Sequence, residues 1–408
     1  MRSDHWIKTK LSFLIDTISE TYKFRSDTKV VLINTSDILE GKVNNHLKIF
    51  PENVAGQFKK TFRKNDILYS EIRPANKRYA YIDFESKNYV ASTKLMVLRK
   101  KNELVDNQFI YQLLKSNDTL SKLQVIAESR SGTFPQITFT ELSNLEINLP
   151  SLKEQKAIAN ILSSLDDKIE LNNKINKNLE NLAQTFYKRW FVDFEFPNEN
   201  GEPYKSSGGE MIESELGLIP KGWSVLTLDE LVVKSSTKTN PDSNQKLIDM
   251  ANMPSYSITL NSFDNGDKLS TNTYRMKKFS FLYGSIRPYL GKFGIAPFDG
   301  ITTGTIHNFN VKDNFDYSLV ATTVFSTKFN EFCIKLSHGT KMPTIKWDDF
   351  VSYIVIYSDE VSYKFNKIVR VMFEQIVNNV SENVKLSKIR DELLPKLMNG
   401  EIEVPIEE

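Results

Sequence analysis

The stretch from Ser151 to Trp190, SLKEQKAIANILSSLDDKIELNNKINKNLENLAQTFYKRW, runs forty residues without a glycine or a proline. Its apolar side chains recur on a seven-residue ladder. Ile158, Leu165, Leu179 and Phe186 share one heptad position, and Ile161, Ile175 and Leu182 share its partner. A helix with so narrow an apolar seam requires a second helix beside it. Asn172 falls on the first ladder and Lys168 on the second. A buried Asn in such a seam costs stability but fixes register and partner.

The partner lies at the end of the chain. A shift of 207 positions carries Ile158 onto Phe365, Ile161 onto Ile368, Leu165 onto Met372 and Ile169 onto Ile376. Asn172 meets Asn379, Leu179 meets Leu386, Leu182 meets Ile389 and Phe186 meets Leu393. The copy departs where Ile175 meets Glu382, and Pro395 interrupts its last turn. The recurring Asn172/Asn379 rung marks the register of an antiparallel helix pair with pseudo-twofold symmetry, like a symmetric dimer made from one chain.

The segments before each helix repeat as well. Trp223 follows Trp6 by 217 positions, and Phe281–Pro288 follows Ile67–Pro74 by 214. The loop from Ser337 to Ile345 parallels Arg130 to Ile137 with one extra residue. Matched landmarks at nearly constant spacing establish an internal duplication. Short strands are expected at Lys29–Ile33, Asp66–Pro74, Tyr79–Phe84 and Lys94–Leu98. A short helix is expected near Phe13–Ile18, and longer helical spacing covers Asn107–Ser116 and Leu120–Ala127. The fold class is α+β: two similar mixed α/β domains separated by two long helices that form an antiparallel coiled coil. The expected division is a first domain over 1–150, a central helix over 151–192 and a Gly/Ser/Glu-rich linker over 193–217. A second domain over 218–360, a C-terminal helix over 361–400 and a tail over 401–408 follow.

Composition bounds the function. The chain has 408 residues, of which 40% are hydrophobic and 25% charged, and its formal net charge is +2. It is neither a disordered acidic chain nor a polycation. A single cysteine, Cys333, excludes a disulfide framework and zinc-cluster spacing. The start MRSDHWIKTK lacks an apolar core for a signal peptide, and no apolar run approaches membrane-spanning length. A cytoplasmic protein with no membrane contact is expected.

Catalytic patterns are missing. There is no phosphate-binding Gly-x-x-x-x-Gly-Lys-Ser/Thr loop and no Gly-x-Gly-x-x-Gly turn. Asn240-Pro241 is followed by Asp242, not by the second proline and aromatic residue with which amino-methyltransferases clamp a flipped base. The four histidines, at 5, 46, 307 and 338, show no ligand spacing, so no metal site is expected. Asp166-Asp167-Lys168 echoes a nuclease motif but reads as a solvated helix face. Nucleic-acid binding needs cations for phosphates and long polar side chains for base edges. The first domain offers Arg73, Lys77, Arg78 and Tyr79 after its proline-stopped strand, and Arg130, Ser131 and Thr133 in its glycine loop. The second offers Arg287, Tyr289 and Lys292, then His338, Thr340, Lys341 and Lys346.

The layout resembles the specificity subunit of type I restriction–modification systems. The strings that carry the resemblance are LPSLKEQKAIA from Leu149, LDDKIELN from Leu165, FYKRWFVDF from Phe186, LIPKGW from Leu218 and RDELLPKLMNGEI from Arg390. Together they span nearly the whole chain. The resemblance implies two target-recognition domains, each reading one half of a split double-stranded DNA site, with the helices setting the gap and docking partners. It implies two methyltransferase subunits that carry S-adenosylmethionine, and restriction–translocase subunits that use ATP and Mg. This chain would hold no cofactor and perform no catalysis. Two other readings stay open: a self-contained nucleic-acid-modifying enzyme, and a coiled-coil scaffold that binds only protein.

Overall fold

The computed structural model describes residues 5–51, 54, 56–268 and 273–406. The chain divides into two compact units. The first comprises residues 1–166 and 387–408, and the second comprises 167–386.

In the first unit a four-stranded antiparallel sheet runs in the order Ile15–Thr17, Leu95–Lys100, Ile67–Ser70, Tyr79–Tyr81. The hydrophobic residues of Ile67–Ser70 bury on both faces, as expected for a central strand covered on each side. A smaller sheet pairs Val31–Ile33 in parallel with Tyr89–Ser92, and Phe58–Lys60 flanks the latter. The helix expected near Phe13–Ile18 is absent. A single 3-10 turn at Leu11–Phe13 leads directly into the edge strand Ile15–Thr17, because sheet pairing with Leu98–Lys100 outweighs local helical spacing. Helix α1 (Asn107–Leu114) starts on an Asp106 cap and α2 (Asn117–Arg130) on a Ser116 cap. Helix α3 (Leu152–Tyr187) opens with a capping box, in which Glu154 accepts from the Ser151 N–H and Ser151 Oγ accepts from the Glu154 N–H. Buried Gln155 ties its first turn down, donating to Leu104 O and Pro150 O and accepting from the Asp106 N–H.

The second unit repeats the plan. Its four-stranded sheet runs Val232–Lys234, Ile306–Val311, Phe281–Gly284, Phe293–Ile295, the same order with the same antiparallel partners. Leu247 pairs in parallel with Ile301, as Val31 does with Tyr89. Helices α4 (Tyr317–Val324) and α5 (Thr327–Leu336) stand where α1 and α2 stand in the first unit, α5 again on a serine cap, Ser326. Residues 193–217 are mostly exposed, but their start is anchored: Phe194 and Phe196 are buried against Trp223, and Phe196 stacks on Tyr204 at 4.6 Å. Helix α6 (Asp359–Met398) closes the unit, and its last part, from Ser387, belongs to the first.

Within the second unit α3 and α6 run antiparallel. Asn172 Nδ2 donates to Asn383 Oδ1 at 2.9 Å, and Asn379 Nδ2 donates to Asn176 Oδ1 at 2.7 Å. Higher numbers on one helix meet lower numbers on the other. The expected Asn172/Asn379 rung is therefore corrected: these two do not face each other, and each pairs with an asparagine four residues along the opposite helix. The expected seam is also displaced by one residue on one of its two ladders. Ile158, Asn172, Phe365 and Asn379 are buried, and Leu165, Leu179, Phe186, Met372, Leu386 and Leu393 are half-buried. Ile161 is half-buried, but Leu182, Ile368 and Ile389 are exposed, and so is Ile175. The second ladder is instead the next position along: Leu162, Asn176 and Ala183 on α3, with Val369 and Asn383 on α6. A 3.5-residue ladder leaves adjacent positions nearly equivalent. Here the amides of Asn172 and Asn383 and of Asn379 and Asn176 pair across the helices.

Candidate nucleic-acid interface

In each unit a strand ends at an arginine–proline turn, and the glycine loop returns to meet it. In the first unit Ile72 forms a β-bridge with Gln136, Arg73 N–H donates to Pro135 O at 3.0 Å, and Ile137 N–H donates to Glu71 O at 2.8 Å. In the second, Ile286 bridges Thr344, Arg287 N–H donates to Pro343 O at 2.6 Å, and Ile345 N–H donates to Ser285 O at 2.9 Å. Two sequence patches some sixty residues apart thus become one surface in each half.

The turn is held in an uncommon conformation. Arg73 has φ 43° and Arg287 has φ 52°, both left-handed and both before proline, a position biased to extended backbone. Such residues cost about 1–3 kcal/mol and persist only where the surroundings over-determine them. Here the main-chain bonds to the two prolines do so. Four residues on, the chain turns left-handed again at Lys77 and at Gly291. At Gly291 a Cβ would meet the Tyr256 ring at 2.5 Å, and the Tyr256 hydroxyl donates to Tyr289 O.

The candidate residues divide by what their side chains do. Tyr79 lies in the core, stacked on Tyr69, because its strand points it inward rather than along the turn. Burial pushes its hydroxyl far above the ordinary tyrosine range, helped by the nearby Glu40 carboxylate. Arg78 is spent internally on Ser36 O and Ile38 O, both at 3.0 Å. Lys292 is likewise bonded to Met250 O and Met253 O at 2.6 and 2.8 Å. Lys77 pairs with Glu40, Arg130 with Glu141, and His338 with Asp349 on the surface. Ser131 Oγ accepts from the Phe134 N–H, holding the loop tip, and Thr133 O accepts from Arg73 Nη2 at 3.3 Å. Exposed Arg287, Lys341 and Lys346 make no side-chain bond among the described residues, and Thr340 and Tyr289 are exposed beside them. Among the described residues, the candidate cations without a side-chain bond are thus Arg287, Lys341 and Lys346, while Arg73 is exposed, has no carboxylate partner and gives one bond to the Thr133 carbonyl of its own loop.

Asp166 is a further correction. It was expected on a solvated face, but its carboxylate receives Lys115 and also Arg390 Nη1 at 2.9 Å. The Lys115 side chain is only 9% exposed. Burial alone would raise the Asp166 carboxyl, but Lys115 and Arg390 hold it below the usual range. No group of three or more His, Cys, Asp or Glu able to hold a metal exists among the described residues. No helix among them is long and apolar enough to cross a membrane.

Sequence reasoning missed Phe134 and Met342, each just before the loop proline, and Asn176 and Asn383 in the helix pair. The first two carried a readable signal: a large apolar residue at the same place in both copies of a polar loop.

Comparison with known proteins places this architecture. A family described as "Type I restriction modification DNA specificity domain" matches residues 16–181. The chain is 32% identical to the type I restriction enzyme HindI specificity subunit of Haemophilus influenzae, over 97% of this chain and 99% of that one. It is 31% identical to the MjaIX specificity subunit of Methanocaldococcus jannaschii, over 74% of this chain and 70% of that one. The crystal structure of a type I restriction–modification S subunit from M. genitalium shares the fold, with a TM-score of 0.57 at 19% identity over 96% of each chain.

Proposed function

Because this chain belongs to the family of type I restriction enzyme specificity subunits, we propose that each of its domains reads one half of a bipartite double-stranded DNA site while the helix pair fixes the distance between the halves. The observation that carries this reading is the duplicated surface: one scaffold built twice, each time presenting an exposed arginine with no carboxylate partner at a strained turn, on otherwise divergent loops. Arginine in that position suits phosphate or guanine contact.

The chain acts without catalysis of its own. Methyl transfer from S-adenosylmethionine belongs to methyltransferase subunits, two per chain, in keeping with the pseudo-twofold repeat. ATP- and Mg-dependent translocation and cleavage belong to restriction subunits. Apolar side chains left outside the helix seam, Leu171, Ile175 and Leu182 on α3 and Ile368 and Val371 on α6, offer a docking face for methyltransferase helices. Neither a self-contained enzyme nor a protein-only scaffold accounts for two divergent cationic surfaces on matched scaffolds.

The test is to lengthen the ruler. A heptad inserted after Asn176 and another just before Asn379, facing it on the antiparallel helix, keeps the asparagine pairs and the seam in phase. Seven residues add about 10.5 Å of helix, or about three base pairs at 3.4 Å each. Sequencing the methylated motif in cells carrying the lengthened chain should show both half-sites unchanged and the gap longer by about three. An unchanged gap, or a continuous motif in the natural chain, overturns the reading.

A further inference from the structure

Both glycine loops carry one feature that phosphate binding does not use. Phe134 is 48% exposed and Met342 is 55% exposed, each immediately before the proline whose carbonyl holds the arginine main chain. A large apolar side chain thus stands uncovered at the tip of a polar loop, twice, beside Arg73 in one unit and Arg287 in the other. In the second unit Met342 and Arg287 border one open cavity of about 380 Å³, walled by Met250, Ile286 and Leu290. Lys292 also reaches that wall, but its ammonium is bonded away to two carbonyls, so it offers no free charge there.

Resting on the DNA-reading function proposed above, we infer that Phe134 and Met342 are base-reading residues, each meeting the 5-methyl group of a thymine beside the base pair read by Arg73 or Arg287. The thymine methyl is the one apolar group that a base pair shows in the major groove, and the O6/N7 edge of guanine, which arginine prefers, lies in the same groove. An apolar tip next to an arginine with no carboxylate partner matches that pairing of surfaces. A wedge that unstacks bases would have to project freely into the minor groove. Met342 instead borders a recess that receives a group, and Phe134 is tied back through its N–H to Ser131 Oγ.

The experiment uses the full chain assembled with its methyltransferase subunits and duplexes that carry the motif found by methylation sequencing. Each thymine is replaced in turn by deoxyuridine, which removes only the methyl. One replacement in each half-site should weaken binding about fourfold, the effect of one buried methyl-sized group. Phe134→Ala should abolish that difference in the half-site of the first domain alone, and Met342→Ala in the other alone. Phe134→Leu, which keeps an apolar tip, should retain it and shows that loss in the alanine variant is not misfolding. If the natural complex binds the motif but is indifferent to every replacement, or if the alanine variants keep the difference, the inference fails while DNA reading stands. If the natural complex does not bind a bipartite site at all, the DNA-reading function itself fails and takes the inference with it.

Discussion

The two units solve the same junction with opposite chemistry. In the first, Lys115 at the end of α1, Asp166 on α3 and Arg390 on α6 meet as a half-buried charged cluster. At the corresponding places the second unit has Phe325, also just before the serine cap of the next helix, with Phe373 and Ala183 at the 207-residue offset. All three are buried in one apolar cluster, where Phe325 stacks on Phe293 at 5.1 Å and Phe373 lies edge-on to Tyr317 at 6.2 Å. A duplicated backbone therefore does not dictate its core. Geometry constrains volume and direction, and either matched charges or aromatic rings satisfy it. The physical consequences differ: a charged junction fails when one partner is lost, whereas an aromatic one fails when volume is lost.

Removing one group from each junction breaks the comparison most sharply. Phe373→Ala should cost the second unit about 3–5 kcal/mol through lost transfer energy and a cavity. Asp166→Ala should cost the first about 3 kcal/mol, because Lys115 is left buried without its carboxylate; the value sits at the low end for a buried pair since Asp166 remains partly exposed. Replacing the whole cluster, Lys115→Met with Asp166→Leu and Arg390→Met, should recover most of the loss. Hydrogen exchange read separately on α1 and α4 distinguishes the units. A cost below about 1 kcal/mol for Asp166→Ala, or a triple variant weaker than the single one, would contradict the charged-junction account.

A smaller effect is expected at the helix pair, where the halves look symmetric but are not. Asn383 Nδ2 donates to Asn173 Oδ1 at 3.0 Å, whereas buried Asn176 Nδ2 has no partner among the described residues. Asn379→Leu would also deprive Asn176 Oδ1 of its donor and should destabilise by about 1–3 kcal/mol. Asn176→Leu removes the orphaned amide together with that acceptor, so its net cost should be lower. Equal costs in urea titrations would show that the unpaired amide is immaterial.

The smallest difference is one of sign with pH. Asp316 in the second unit accepts from the Tyr357 hydroxyl at 3.0 Å, and burial raises its carboxyl to about 6, against the opposing hydrogen bond from Tyr357 and with Asp313 and Asp359 adding to the rise. An acid whose folded pKa lies above its unfolded value of about 3.9 takes up its proton first in the folded chain. Its contribution is therefore complete below about pH 4 and lost as pH rises through 6. Asp166 runs the other way: its folded pKa is depressed, so its contribution is present above about pH 4 and lost as pH falls further. Between pH 4 and 6 the second unit should lose protection against hydrogen exchange as pH rises, while the first should not. Asp316→Asn should flatten that slope, and a slope that persists would place the titration elsewhere.

Much of the candidate interface was legible in the residues. The turn around Arg73 and Arg287 and the loops before Pro135 and Pro343 stand out because proline and glycine act locally and recur in both copies. What was not legible is which cations are free. Arg78 and Lys292 look like Arg73 and Arg287 in the chain, yet their partners are main-chain carbonyls 40 to 42 residues away in sequence for one and 39 to 42 for the other. Tyr79 turned inward for the same reason, since strand pairing with Tyr69 sets which face it occupies.

The sequence by itself determined the duplication, the two long helices, the α+β class and the place of each glycine loop, because heptad spacing, proline stops and repeated strings are local or self-similar signals. Only the tertiary structure decided the phase of the helix seam, the Asn172–Asn383 and Asn379–Asn176 pairs, and the opposite chemistry of the two junctions. Those outcomes depend on which side chains meet across space, and a ladder of 3.5 residues leaves two neighbouring positions almost equally apolar until the opposing helix fills one of them.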